Sequence, residues 1–274
     1  MNDCPDTLLL TAIRPDELFL IENNRHTGPE KNEFLTEKGM ASKKSAYSAS
    51  ALNRFAGKLF APIARDYEIW SRVLSFWQDP LWRREMVREL GLEAGSLVLD
   101  LAAGTGQVTR ILDKSGFKAV AVDQSFEMLQ QAAQKKYMAI NARAESLPFR
   151  DKTFDGLTFT YLLRYADEPI DCMLELVRVI RPGGRIGMVE FGKPRGFWGP
   201  WWRLYTRIGL PMAGTIISPG WKKVGKFLGG SIEEFHGRYP EKSLIRLWER
   251  AGLSGIRMAR PSLGGGLLMW GNKS

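Results

Sequence analysis

The chain has 274 residues, 44% of them hydrophobic, with a net charge of +9, two cysteines and two histidines. That length suits one substantial α/β core. Cys4, Cys172, His26 and His236 are too few and too scattered for a disulfide framework or a metal site, and no run approaches the ~18–20 apolar residues that span a bilayer. Asp3 and Asp6 stand where a secretory signal would be basic, so a cytoplasmic chain is expected, and the positive balance fits either an anionic partner surface or a plain solvated exterior.

Residues 1–48 hold turn signals, Asn23-Asn24, Thr27-Gly28-Pro29 and Ser42-Lys-Lys-Ser45, without sustained periodicity. They read as a disordered extension, either a true tail or a stretch upstream of a start at Met40. Residues 49–95 read as a helical segment of the domain that follows. Phe60, Ile63, Tyr67, Trp70, Leu74 and Trp77 recur at three- and four-residue steps. Asp79-Pro80 is expected to break that run, and Trp82 to Leu90 resumes it.

Apolar runs then alternate with helical patterns. Strands are predicted at 97–101, 118–123, 137–142, 154–160 and 185–191, and helices at 107–114, 125–135 and 168–180. Pro182-Gly183-Gly184 is expected to turn the chain into the fifth strand. An insertion, 193–234, expected to form part of the acceptor site, precedes a helix at 240–251 and two strands at 254–261 and 265–271. Together 49–274 are expected to form one domain. It would have a Rossmann-like, mostly parallel seven-stranded sheet with an antiparallel edge hairpin and helices on both faces. Right-handed crossovers place the strand ends at 100, 123, 143 and 160 on one rim.

The first of those ends is the most specific. Val98, Leu99 and Leu101 form a buried strand, and Gly104 and Gly106 let the following turn approach a ligand. Asp123 ends the next strand, where a carboxylate can accept from both hydroxyls of a ribose. A glycine turn in an ordinary α/β protein would explain Gly-x-Gly alone, but not Asp100, Asp123 and the later motifs in order. A dinucleotide site would carry a third glycine where Thr109 stands, and Asp100 would repel a pyrophosphate while attracting an ammonium. Asp-Leu-Ala-Ala-Gly-Thr-Gly resembles the first motif of class I S-adenosylmethionine methyltransferases.

Further motifs narrow the resemblance. They are Phe60-Ala-Pro-Ile-Ala-Arg-Asp-Tyr67, Trp82-Arg-Arg84, Leu163-Arg164, Arg181-Pro-Gly-Gly-Arg185, Glu190-Phe-Gly-Lys-Pro194 and Gly264-Gly265-Gly266. Over roughly 55–274 the chain resembles the ubiquinone/menaquinone C-methyltransferase family. Tyr165 stands where that family has Asn, and Glu68 where it has Asp.

The resemblance implies S-adenosyl-L-methionine as cofactor and a prenylated hydroquinone, methylated on a ring carbon, as acceptor. It assigns Ala103, Gly104, Thr105 and Gly106, supported by Asp100, to the methionine moiety, and Asp123 to the ribose. Arg143 and Ala144, with Glu145 nearby, go to the adenine. Thr160 closes the pocket, and Gln124 and Met128 belong to it. The acceptor-side candidates are Arg164, a cation at the rim suited to a phenolate; Tyr67; and Glu190, a base or a partner for a lysine. His236 is expected to be structural.

Phe197-Trp-Gly-Pro-Trp-Trp202, bracketed by Lys193, Arg195 and Arg203, suits a lipid–water boundary, with a homodimer interface as the competing explanation. No nucleic-acid partner is expected. Two other functions stay open: a phospholipid-headgroup or small-molecule N- or O-methyltransferase, and a noncatalytic cofactor-binding assembly protein.

Overall fold

The computed structural model describes residues 51–135 and 137–274, so the expectations for residues 1–48 and for Met40 lie outside the described part. Helices α1 (Ala51–Phe60), α2 (Tyr67–Leu74) and α3 (Gln78–Arg88) lead into the sheet. The break between α2 and α3 falls at Phe76 and Trp77, both in the left-handed region (φ 50° and 59°), not at Asp79-Pro80. Asp79 and Pro80 instead begin α3, where a proline has no intrahelical N–H bond to lose.

The sheet comprises β1 (Leu97–Leu101), β2 (Lys118–Asp123), β3 (Met138–Asn141), β4 (Phe154–Thr160), β5 (Ile180–Phe191), β6 (Leu253–Ala259) and β7 (Gly266–Lys273). Its order is β3-β2-β1-β4-β5-β7-β6. β1 to β5 pair in parallel, and β7 lies antiparallel between β5 and β6. The expected seven-stranded fold is therefore present. β5 begins earlier than predicted, because Ile180 already pairs with Phe154 and the Pro-Gly-Gly turn becomes an irregularity inside the strand.

Helices α4 (Gln107–Lys114), α5 (Phe126–Ala133) and α6 (Pro169–Val179) are the crossovers, and α10 (Glu241–Arg250) precedes β6. The strands are near-continuously apolar because both faces are covered. One core cluster gathers Leu99, Leu157, Phe159, Leu176 and Trp248, and another gathers Val98, Leu112, Met86 and Leu268.

The insertion folds as a helical cap over the strand ends. It contains α7 (Trp198–Leu204), a π-helical turn (Tyr205–Gly209), α8 (Leu210–Ile217) and α9 (Pro219–Arg238). α8 and α9 approach backbone to backbone. A Cβ at Gly214 would lie 2.4 Å from the Trp221 carbonyl oxygen, and one at Gly225 would lie 2.5 Å from that of Leu210. α9 closes onto the leading segment through Leu59, Ile63, Trp221 and Val224.

Candidate active site

Two adjoining cavities open at the carboxyl ends of the parallel strands, the place where such sheets bind ligands. The first is lined by Ala103, Gly104, Thr105, Asp123, Gln124, Met128, Ala144, Glu145 and Thr160 among the residues expected there. Asp123 is fixed by two backbone donors: the Gly104 N–H reaches Oδ2 at 2.7 Å and the Ser125 N–H reaches Oδ1 at 2.8 Å. Burial raises its pKa, and those N–H bonds oppose the rise.

Asp100, Gly106 and Arg143 do not line this cavity. The Asp100 carboxylate turns beneath it, accepting from the hydroxyls of Thr109 (2.6 Å) and Thr158 (3.2 Å). Asp100 thus braces the β1–α4 turn from beneath the cavity. Burial pushes its pKa up to about 6. Gly106 serves packing, since a Cβ there would lie 3.1 Å from that of Ala132 and 3.2 Å from the Tyr137 ring. Arg143 faces its neighbour Glu145 at 3.5 Å.

Sequence reasoning missed three contributors. The Gln107 side-chain nitrogen is buried in the wall without a partner. Glu68 accepts from the Thr105 hydroxyl at 3.0 Å and pairs with Lys135 and, at 3.6 Å, with Arg110, so α2 is latched to the glycine turn. Arg83 reaches Thr160 Oγ1 at 3.1 Å. S-adenosylmethionine fits this cavity: Asp123 presents paired acceptors for vicinal hydroxyls, and Gln107 has an unused N–H for a carboxylate. When bound, the cofactor supplies an electrophilic methyl group on a cationic sulfur.

The second cavity, about 420 Å³, is strongly apolar, with walls that include Leu74, Trp202, Tyr205, Leu210, Trp221 and Val224. Phe60, Tyr67 and Tyr161 line both cavities and form the partition between them. Burial pushes the Tyr67 phenol up to about 12, so it stays protonated.

Arg164 lines the second cavity, and it is buried (6% exposed) where a rim position was expected. Its Nη2 lies 3.5 Å from Glu190, whereas its Nε and Nη1 have no partner. Tyr161, Tyr165 and Phe191 surround the guanidinium. Glu190 lines neither cavity. It accepts from the Phe191 N–H at 2.8 Å and serves as the counter-charge to Arg164. His236 Nε2 lies 2.7 Å from the Phe191 carbonyl oxygen, a structural contact.

This strand order, with a turn and acid placed to hold a nucleoside beside a separate apolar cavity, defines a class I S-adenosylmethionine-dependent methyltransferase. The ubiE/COQ5 methyltransferase family model matches residues 48–273, and the chain belongs to that family. It is 36% identical over 211 residues to the demethylmenaquinone methyltransferase of Tropheryma whipplei, covering 76% of this chain and 87% of that protein. It is 33% identical over 225 residues to the ubiquinone/menaquinone biosynthesis C-methyltransferase of Desulfotalea psychrophila, covering 79% and 89%.

Among solved structures, a possible histamine N-methyltransferase from Thermotoga maritima superposes with a TM-score of 0.57 at 18% identity, covering 79% of this chain and 99% of that one. A Haemonchus contortus phosphoethanolamine N-methyltransferase superposes with a TM-score of 0.51 at 13% identity, covering 72% and 52%. At those identities the likeness concerns the fold.

Proposed function

We propose that this enzyme transfers a methyl group to a ring carbon of a prenylated hydroquinone. The observation that carries the reading is Arg164, a buried guanidinium whose Nε and Nη1 have no partner, in a largely apolar cavity next to the donor pocket. Buried donors without partners are costly unless a ligand supplies the acceptor. An aromatic hydroxyl supplies one, and its oxygen becomes a better acceptor as it loses its proton. That loss pushes electron density onto the adjacent ring carbon. Arg164 would therefore bind the oxygen most tightly when it is most negative. Phe60, Tyr67 and Tyr161 would hold the ring against the donor and exclude water.

The remaining apolar wall suits an isoprenoid tail. Around the mouth stand exposed Phe76, Trp198, Trp201 and Leu263, with Trp77 and Phe197 beside them. Lys193, Arg195 and Arg203 flank this patch. We read it as a peripheral contact with an anionic bilayer in which such a tail resides. A second copy of the chain is the competing occupant, and sedimentation without lipid distinguishes the two. No helix among the described residues is long and apolar enough to cross a membrane.

The test of the reaction is Arg164→Ala assayed with a short-chain prenylated naphthohydroquinone. Turnover should fall about a hundred- to a thousandfold, the range for losing one donor to a developing oxyanion. Donor affinity should stay near wild type. Full turnover in the variant would contradict the role.

A further inference from the structure

Asp79 and Arg83 sit on successive turns of α3 as a buried ion pair, 3% and 4% exposed. Arg83 Nε lies 2.9 Å from both carboxylate oxygens of Asp79. The Tyr161 hydroxyl donates to Asp79 Oδ1 at 2.5 Å. Tyr161 follows β4 directly and holds φ at 56°, a conformation that bulky residues adopt only when their surroundings enforce it. Here the enforcement is visible. The Tyr161 N–H donates to the Val189 carbonyl at 2.9 Å, and the ring stacks on Phe191 with centroids 4.4 Å apart. Arg83 lies 5.3 Å from the ring centroid. Asp79 lines the second cavity, and Tyr161 lines both.

The chemistry of this arrangement is directional. A phenol oxygen that has donated its hydrogen to a carboxylate offers only lone pairs to the cavity. Arg164 offers only hydrogens. Together they complement a hydroxyl group that gives up its proton, one taking the proton and the other the negative charge.

We propose that Tyr161 and Asp79 form the proton relay for the acceptor, with Arg83 holding the carboxylate in place. The inference rests on the reading of the second cavity as the site of a ring hydroxyl. In the step, the acceptor O–H gives its proton to Tyr161 Oη as the Tyr161 proton passes to Asp79 Oδ1. The O–H electron pair delocalises into the ring, whose carbon forms the new bond to the methyl group. The electrons of the broken sulfur–methyl bond stay on sulfur. That ring carbon then loses its own hydrogen as a proton, and the ring oxygen recovers a proton from Asp79 through Tyr161. One proton is released in total, and no oxidant or reductant enters. Burial and Asp79 together hold the Tyr161 pKa well above its ordinary value, so the resting proton sits on the tyrosine.

The experiment compares two probes, a short-chain prenylated naphthohydroquinone and the same compound fluorinated away from the reacting carbon, whose hydroxyl is more acidic. Tyr161→Phe keeps the ring, the stack and the Asp79–Arg83 pair. With the first probe its kcat should fall about a hundredfold, in the range for losing a positioned acid–base group. KM and the calorimetric affinity for S-adenosylhomocysteine should stay within about threefold. With the fluorinated probe the deficit should shrink to less than about tenfold, since an acidic hydroxyl needs less help. Asp79→Asn should show the same pattern in its folded fraction. A distorted pocket would instead slow both probes equally, and that result, or an unchanged kcat in Tyr161→Phe, would overturn the relay. A wild type that methylates neither probe would overturn the acceptor reading along with it.

Discussion

At the scale of single residues, the two acids near the glycine turn are placed differently: Asp123 lines the first cavity, and Asp100 is turned beneath it. The distance of Asp123 from the turn, at the tip of the second strand, made its place legible. Asp123→Ala should weaken donor binding about ten- to a hundredfold in calorimetry, the value of hydrogen bonds to a charged group. Asp100 carried the same expectation, yet its carboxylate is spent on Thr109 and Thr158. Thr158 is 58 residues away in the chain, and no local pattern announces it. Because burial pushes the Asp100 pKa up to about 6, the folded chain binds this proton more tightly than the unfolded chain does. Its contribution to stability therefore falls as the pH rises from about 4 to about 6. Urea melts should show the wild type losing about 2 kcal/mol relative to Asp100→Asn between pH 4 and pH 7. A difference independent of pH would mean that Asp100 titrates normally.

At the scale of elements, the βαβ core was legible because its strands are apolar runs and its helices are amphipathic. The cap was not. Its aromatics and glycines gave no single period, and the helices α8 and α9 are defined by contact with each other. The glycines 214, 225 and 229 were the available signal, since each faces the backbone of the partner segment. Gly225→Ala would drive a Cβ to within 2.5 Å of the Leu210 carbonyl oxygen. Overpacking of that kind costs about 1–3 kcal/mol. The variant should melt several degrees lower and bind a tailed acceptor more weakly, with donor affinity nearly intact. Equal weakening of both ligands would show that the cap and the donor pocket are not separable. The Asp79–Arg83–Tyr161 cluster shows the same limit. The expected break at Asp79-Pro80 hid the i, i+4 spacing of Asp79 and Arg83, and the third member comes from just beyond β4, 82 residues from Asp79.

At the scale of the whole molecule, the two cavities meet at the carboxyl ends of the strands, across the partition of Phe60, Tyr67 and Tyr161, and on the proposed reading the methyl group crosses that partition. The family model match begins at residue 48, and the described residues form a seven-stranded sheet and line both cavities. Removing residues 1–39 should therefore leave the melting temperature and turnover nearly unchanged, as differential scanning calorimetry and a steady-state assay would show. A drop of several degrees would mean that the segment packs on the domain. Replacing Trp198 and Trp201 with Ser should reduce sedimentation with anionic vesicles, while turnover of a short-chain acceptor persists. Loss of turnover without loss of vesicle binding would place these aromatics in the acceptor site. The most direct test of the central claim is the structure of the product. The purified protein, S-adenosylmethionine carrying a ¹³C-methyl group and a prenylated hydroquinone should yield an acceptor whose labelled methyl couples to ring carbons by NMR. A label found on oxygen, or no label on the acceptor at all, would contradict the account.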